Sequence, residues 1–178
     1  MEYDPDTTAV VVVDMQNDFC HPDGALYAEG SEAVIENVNE VVRSVDSAET
    51  YFTQDTHEED DPEFEQWGEH CLRNSWGFDF HEDLVPAFPP NVIQKDTYDA
   101  FHETNFDAML TDNGIETLII CGTLANVCVQ ETASSAALNG YEVIVVGNAV
   151  GYINEDQLSR ALDHIDFLIG EVVTLEEL

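Results

Sequence analysis

A chain of 178 residues is the length of one domain with a sizeable core, and its 44% hydrophobic residues exclude the disordered class that its charge alone would suggest. That charge is extreme, 38 Asp and Glu against 4 Lys and Arg for a formal net charge of −34, and it excludes nucleic acid as a partner. No apolar run approaches the roughly 18 residues of a membrane span and none reads as a signal peptide, so a membrane is excluded and a cytoplasmic protein is expected.

In chain order, residues 8 to 13 include the apolar run Ala9-Val-Val-Val-Val13 and stop at Asp14. Such a run reads as a strand buried on both faces, with Asp14 at its carboxyl edge, where open α/β sheets bind their ligands. A helix capped by Ser31 follows, with Val34, Ile35, Val38, Val41 and Val42 on one face. A second strand spans about Glu49 to Thr53 and leads into Asp55-Thr-His57. Side chains alternate along an extended segment, so Asp55 and His57 point to one side as a pair of metal ligands would. Residues 58 to 90 then form a long irregular stretch, and a stretch of that length inside a compact domain is usually functional.

Val92 to Lys95 reads as a third strand, again with a polar residue at its carboxyl end. Lys95 is the only lysine of the chain, which in so acidic a composition points to a specific role. Thr104 opens a helix that Asn113-Gly114 stops. A fourth strand, 116 to 121, runs through Gly122-Thr123 into a helix from Leu124 to Leu138 that Asn139-Gly140 ends. Cys128 lies in the first turn of that helix, where free N–H groups and the helix dipole favour a thiolate. Taken alone, Cys128 is equally readable as a small core residue. A fifth strand over 142 to 147, a helix opened by Asn154 and Gln157, and a short last strand at Val172-Val173 complete the chain. The alternation predicts a three-layer α/β domain with a six-stranded, mostly parallel, Rossmann-like sheet. No Gly-x-Gly-x-x-Gly follows the first strand, which excludes a dinucleotide site. Cysteines 20, 71, 121 and 128 form no Cys-x-x-Cys pair and are read as free thiols.

Val13-Asp-Met-Gln-Asn-Asp-Phe19, Lys95-Asp-Thr-Tyr-Asp-Ala-Phe101 and Cys121-Gly-Thr-Leu-Ala-Asn-Val-Cys128 together resemble the isochorismatase-like cysteine hydrolases, and the likeness covers essentially all of residues 1 to 178 as one domain. Asp99 stands where serine is commoner, a departure that bears on the loop more than on the chemistry. The resemblance implies a triad: Cys128 as nucleophile, Asp14 as general base and Lys95 as the cation that stabilises the anions. It also implies a cis Thr123-Leu124 peptide and an oxyanion hole made by the N–H groups of Leu124 and Cys128.

The 58 to 90 stretch, with Pro62-Glu63 and Trp67-Gly-Glu-His70-Cys71, resembles the metal loop of nicotinamidases. By that likeness Asp55, His57, Glu63 and His70 hold one divalent transition metal ion, zinc, iron or manganese, with Glu63 or a water completing its shell. The ion would anchor a pyridine nitrogen while Phe19 and Trp67 flank the ring and Thr123 and Leu124 line the pocket. The implied reaction is hydrolysis of nicotinamide, or an analogue such as pyrazinamide, to the acid and ammonia in NAD salvage. The alternative is another amidohydrolase of the family acting on a carbamoyl or ureido substrate. A homo-oligomer is compatible with the likeness. The acidic composition, for its part, resembles that of salt-in halophiles.

Overall fold

The computed structural model describes residues 3–47, 49–86 and 89–178. All six expected strands form: β1 (Thr8–Val13), β2 (Glu49–Asp55), β3 (Val92–Lys95), β4 (Thr117–Gly122), β5 (Glu142–Val150) and β6 (Glu171–Val173). They make one sheet of order β3-β2-β1-β4-β5-β6, and every neighbouring pair is parallel. Seven α-helices accompany them among the described residues: α1 (Asn17–Cys20), α2 (Glu29–Ala33), α3 (Ile35–Ser44), α4 (Phe64–Trp67), α5 (Phe106–Asp112), α6 (Gln130–Asn139) and α7 (Glu155–Leu168).

Alternation along β1 explains the three layers. Val11 and Val13 pack with Phe106, Ala133 and Ile165 of α5, α6 and α7, whereas Val10 and Val12 pack with Val38 and Val41 of α3. Every residue of β1 and of β4 is buried, as a strand covered by helices on both faces must be. From β1 the chain builds outward to β2 and β3, then returns to the other side of β1 with β4 and continues to β5 and β6. The switch point between β1 and β4 is where such sheets open a crevice at their carboxyl ends. Gly122 closes that junction: its φ is +110°, and a Cβ there would lie 2.2 Å from the Val13 carbonyl oxygen.

Three local expectations change. Ser31 does not cap the long helix; it lies inside α2 and is wholly buried, and Val34 (ψ −2°) separates α2 from α3, which starts at Ile35 without a side-chain cap. The helix after β4 does not begin as an α-helix at Leu124. Residues Ala125–Val129 form a π-helical turn, with Val129 N–H donating to the Leu124 carbonyl at 3.1 Å and Val127 outside helical geometry, before α6 takes over at Gln130. Thr104 does not open the helix: α5 starts at Phe106 with Asn105 before it and no side-chain cap, and Thr104 Oγ1 accepts the Phe106 N–H at 3.2 Å from the turn ahead of it. Among the described residues no helix is long and apolar enough to cross a membrane.

Candidate active site

Asp14, Asp55 and Lys95 come from the carboxyl ends of β1, β2 and β3 and Cys128 from the turn that follows β4, and the sheet register brings them together. Asp55 and Lys95 are directly paired across β2 and β3, and Val13 is paired with Gly122 across β1 and β4. Lys95 Nζ lies 2.7 Å from Asp14 Oδ2, 3.1 Å from Asp55 Oδ1 and 3.8 Å from Cys128 Sγ, all four side chains being buried. Asp14 has a φ of 48°, unusual for a residue with a side chain, and is held by Thr53, whose hydroxyl donates to Asp14 Oδ1 at 2.6 Å.

A buried ammonium between two carboxylates keeps its proton. Burial opposes the charge on Lys95, but Asp14, Asp55 and the Cys128 sulfur outweigh it and hold the ammonium well above its ordinary range. Asp14 is raised above the usual carboxylate range, by burial first and by Asp55, against the pull of Lys95 and Thr53. Cys128 is also raised: burial dominates, Asp14 and Asp55 add to it, and only Lys95 acts in the other direction. This corrects the expectation of a resting thiolate at a helix terminus. The sulfur faces Lys95 Nζ at 3.8 Å, and that ammonium also lies against Asp14, a carboxylate whose proton affinity its own burial has increased.

A second cluster adjoins the first through Asp55. Asp55 Oδ2 lies 3.1 Å from His57 Nε2 and 3.4 Å from His70 Nε2, and His70 Nε2 lies 4.0 Å from Glu63 Oε1. One ligand atom from each of Asp55, His57 and His70 falls within 4.8 Å of the others. The far nitrogen of each ring is also engaged, His57 Nδ1 with Asp61 Oδ2 at 2.9 Å and His70 Nδ1 with the Gly68 carbonyl at 2.8 Å. Two imidazoles and a carboxylate, each imidazole oriented from behind, fit a divalent transition metal ion, with Glu63 at the margin of the set. Burial opposes a charged His57, yet Asp55 and Asp61 outweigh it and lift the ring to about 9. Asp55, next to Lys95 and both rings, is held below the usual carboxylate range despite its burial.

The local chain explains how residues this far apart in sequence are held. Gln16 clamps Asp55 by its backbone, accepting its N–H at 2.7 Å and donating to its carbonyl at 2.8 Å. His57 N–H donates to the Cys71 carbonyl and Arg73 N–H to the His57 carbonyl, so the loop returns to β2 as a short extra bridge. Buried Asp18 accepts the N–H of Cys71 at 2.7 Å and of Ala25 at 2.9 Å, tying two loops together. Asp99, in the place where serine is commoner, accepts from Ser135 Oγ at 2.6 Å and so fastens its loop to α6.

Both clusters open on one cavity of about 330 Å³. Asp55, Glu63, His70 and Cys128 line it, as do Phe19, Trp67, Thr123 and Leu124, so the expected pocket residues are gathered in one place. The Thr123–Leu124 peptide is cis. His57, Asp14 and Lys95 stand behind the lining. Sequence reasoning missed Tyr98, which lines the cavity and whose hydroxyl accepts from Trp67 Nε1 at 2.9 Å; it lies in the very segment that contains Lys95. Gln16 and Asp61 were missed as well.

A parallel α/β sheet with an acid, an ammonium and a thiol converging at its switch point defines a class of α/β proteins built around a buried, cysteine-containing cleft. The isochorismatase domain matches residues 8–177, and the chain belongs to that family of hydrolases. Among solved structures it is similar to the pyrazinamidase of Pyrococcus horikoshii in complex with zinc (32% identity, TM-score 0.86, 94% of this chain and 99% of that one). It is similar also to PnC1 from L. infantum in complex with nicotinate (25%, TM-score 0.91, 99% and 96%). Among curated relatives, the ureidoacrylate amidohydrolase RutB of Caulobacter vibrioides is 28% identical over 96% of this chain and 89% of its own length.

Proposed function

We propose that this isochorismatase-family hydrolase is a cytoplasmic nicotinamidase of one domain, converting nicotinamide and water to nicotinate and ammonia in NAD salvage. The observation that carries the reading is that Cys128 and the Asp55, His57 and His70 cluster serve the same cavity, joined through Lys95. The zinc of the Pyrococcus horikoshii pyrazinamidase and the nicotinate of the L. infantum protein support it. When bound by Asp55, His57 and His70, with Glu63 or water, a divalent ion would offer a coordination position to the pyridine nitrogen and so orient the ring.

The chain's own residues supply the remaining chemistry. Asp14 takes the thiol proton as Cys128 Sγ attacks the carboxamide carbon, and Lys95 holds the carboxylate and the sulfur in register throughout. Backbone N–H groups of Leu124 and Cys128 receive the oxyanion; the N–H groups of Ala125, Val127 and Val129 are already engaged, with Gly151 or Leu124 carbonyls. Asp14 returns the proton to the departing ammonia, then activates the water that hydrolyses the thioester. Phe19 and Trp67 offer apolar faces for the ring.

The charge of the lining separates this reading from a ureido or carbamoyl acid substrate. The cavity wall carries two carboxylates, Asp55 and Glu63, and its described residues include no lysine or arginine. A neutral amide suits such a wall; the carboxylate of a ureidoacrylate would face Asp55 and Glu63 with no lysine or arginine among the lining residues to pair with it. Ammonia release from nicotinamide in molar salt, with and without a chelator, tests the proposal, with benzamide as the ring that lacks the nitrogen. Chelator-sensitive turnover of nicotinamide and poor turnover of benzamide are expected. Equal turnover of both, indifferent to chelator, would sink it.

A further inference from the structure

We infer that Ser31 is a positioning residue for the oxyanion-binding turn, acting through the side chain of Thr123. The inference rests on the proposal above that Cys128 is the nucleophile and that Leu124 N–H faces the developing oxyanion. Ser31 comes from α2, 92 positions away from Thr123, yet the two hydroxyls share a hydrogen bond of 2.5 Å in a site closed to solvent. Nothing in the chemistry of attack or proton transfer uses either hydroxyl.

Thr123 is the residue whose carbonyl shares a peptide unit with the Leu124 N–H, so fixing Thr123 fixes the direction in which that N–H points. Its own N–H donates to the Val13 carbonyl at 2.8 Å. Gly151 brackets it on both sides: Gly151 N–H donates to the Gly122 carbonyl at 2.8 Å, and the Gly151 carbonyl accepts from Ala125 N–H at 2.9 Å. A Cβ on residue 151 would lie 2.7 Å from Thr123 Oγ1 and 2.8 Å from Ser31 Oγ, so only glycine lets the backbone seal the pair. On the outer side a Cβ on Gly30 would fall 2.3 Å from the Tyr152 carbonyl oxygen, which shows how closely α2 is pressed against this segment. The main chain thus holds Thr123 from three directions, and the Ser31 hydroxyl supplies the fourth, through the side chain. Buried hydroxyl pairs of this kind are costly to break, because the survivor keeps no partner.

A donor misdirected by a fraction of an ångström weakens an oxyanion while leaving the thiol untouched. The test therefore compares two reactions of Cys128 in the full chain at high salt. With 4-nitrophenyl acetate, the sulfur forms a bond to the acetyl carbon through an oxyanion, the thiol proton passes to Asp14 and nitrophenolate leaves. With iodoacetamide, the sulfur displaces iodide at a saturated carbon and no oxyanion forms. Ser31→Ala is expected to slow the nitrophenolate burst about tenfold and to leave the alkylation rate of Cys128, followed by peptide mass, unchanged. Thr123→Val breaks the same hydrogen bond with the side-chain volume kept, and serves where Ser31→Ala fails to fold. The double variant should lose no more than either single one, as for two partners in one bond.

Equal slowing of both reactions, or losses that multiply in the double variant, would overturn the inference. So would a wild-type protein with no burst, which removes Cys128 as the nucleophile. A normal burst with no hydrolysis of nicotinamide would instead defeat only the assigned substrate and leave the role of Ser31 standing.

Discussion

Cys128 is surrounded by features that oppose its ionisation, and this decides how Asp14 and Lys95 must act. A thiol raised by burial and by two carboxylates stays protonated at rest, so its reactivity depends on a base within reach rather than on a standing thiolate. Cys128→Ala is expected to lower nicotinamide turnover by more than about 10³-fold, measured as ammonia release. Cys20→Ala, Cys71→Ala and Cys121→Ala should keep most activity, since all three thiols are buried and pushed up, Cys121 to about 12, and none of them lines the cavity on which Cys128 opens. Comparable loss from Cys71→Ala would refute this assignment. The pH dependence follows from Thr53. Its hydroxyl stabilises the Asp14 carboxylate, so in the wild type it lowers a pKa that burial raises. Because turnover needs the ionised carboxylate, the acid limb of kcat/KM should lie above the ordinary aspartate range. Thr53→Val removes a lowering influence, and the limb must move to still higher pH. A limb that stays in place or moves down would show that Asp14 is not the base it reports.

The elements that hold the metal cluster were legible to different degrees. β1 and β4 could be read because runs such as Ala9 to Val13 are apolar without interruption, and β1, β2 and β3 lead to or end at Asp14, Asp55 and Lys95, where the sheet meets its crevice. Asp55 and His57 followed from side-chain alternation. Asp61 did not, since it lies among Glu58, Glu59, Asp60 and Asp61, a run of acids in which no local signal marks the one that turns inward to His57 Nδ1. Ser31 fits the pattern of a helix cap as well as any serine does, and only the approach of Thr123, distant in sequence, gives it another task. The π-helical turn that contains Cys128 was likewise invisible, because Val127 has an ordinary helical identity and departs from helical angles to meet its surroundings. At this scale the test is Asp61→Asn. Losing the carboxylate that orients His57 from behind should weaken zinc binding roughly 10- to 100-fold in a chelator competition, while iodoacetamide still alkylates Cys128 at the wild-type rate. An unchanged zinc affinity would mean that the loop backbone alone sets the ring.

At the scale of the molecule the dominant quantity is the net charge of −34, and the fold does little to neutralise it. The one lysine is buried between Asp14 and Asp55. Arg43 pairs with Glu36 and Glu40, and Arg73 with Glu58, all at exposed positions where such pairs contribute about 1 kcal/mol or less. The acids remaining on the surface repel one another in the compact state more than in the expanded chain, and salt is what shortens that repulsion, from about 10 Å of reach at 0.1 M to about 3 Å at 1 M. The thermal midpoint should therefore rise by roughly 10 °C or more between 0.1 and 2 M KCl, steeply at first and then flattening as the screening length falls below the spacing of the charges. Sucrose, which strengthens burial without screening charge, should give a shallow rise without that early steepness. The substrate offers a further control. Nicotinamide is neutral, so its encounter with the cavity is not steered by the acidic surface, and KM should change little with salt while the protein remains folded. Activity lost at low salt should then coincide with loss of the far-ultraviolet helix signal and return with it when salt is restored. A midpoint that stays flat across the KCl series, or activity that falls while the helix signal is intact, would show that the acidic surface serves some purpose other than folding in concentrated salt.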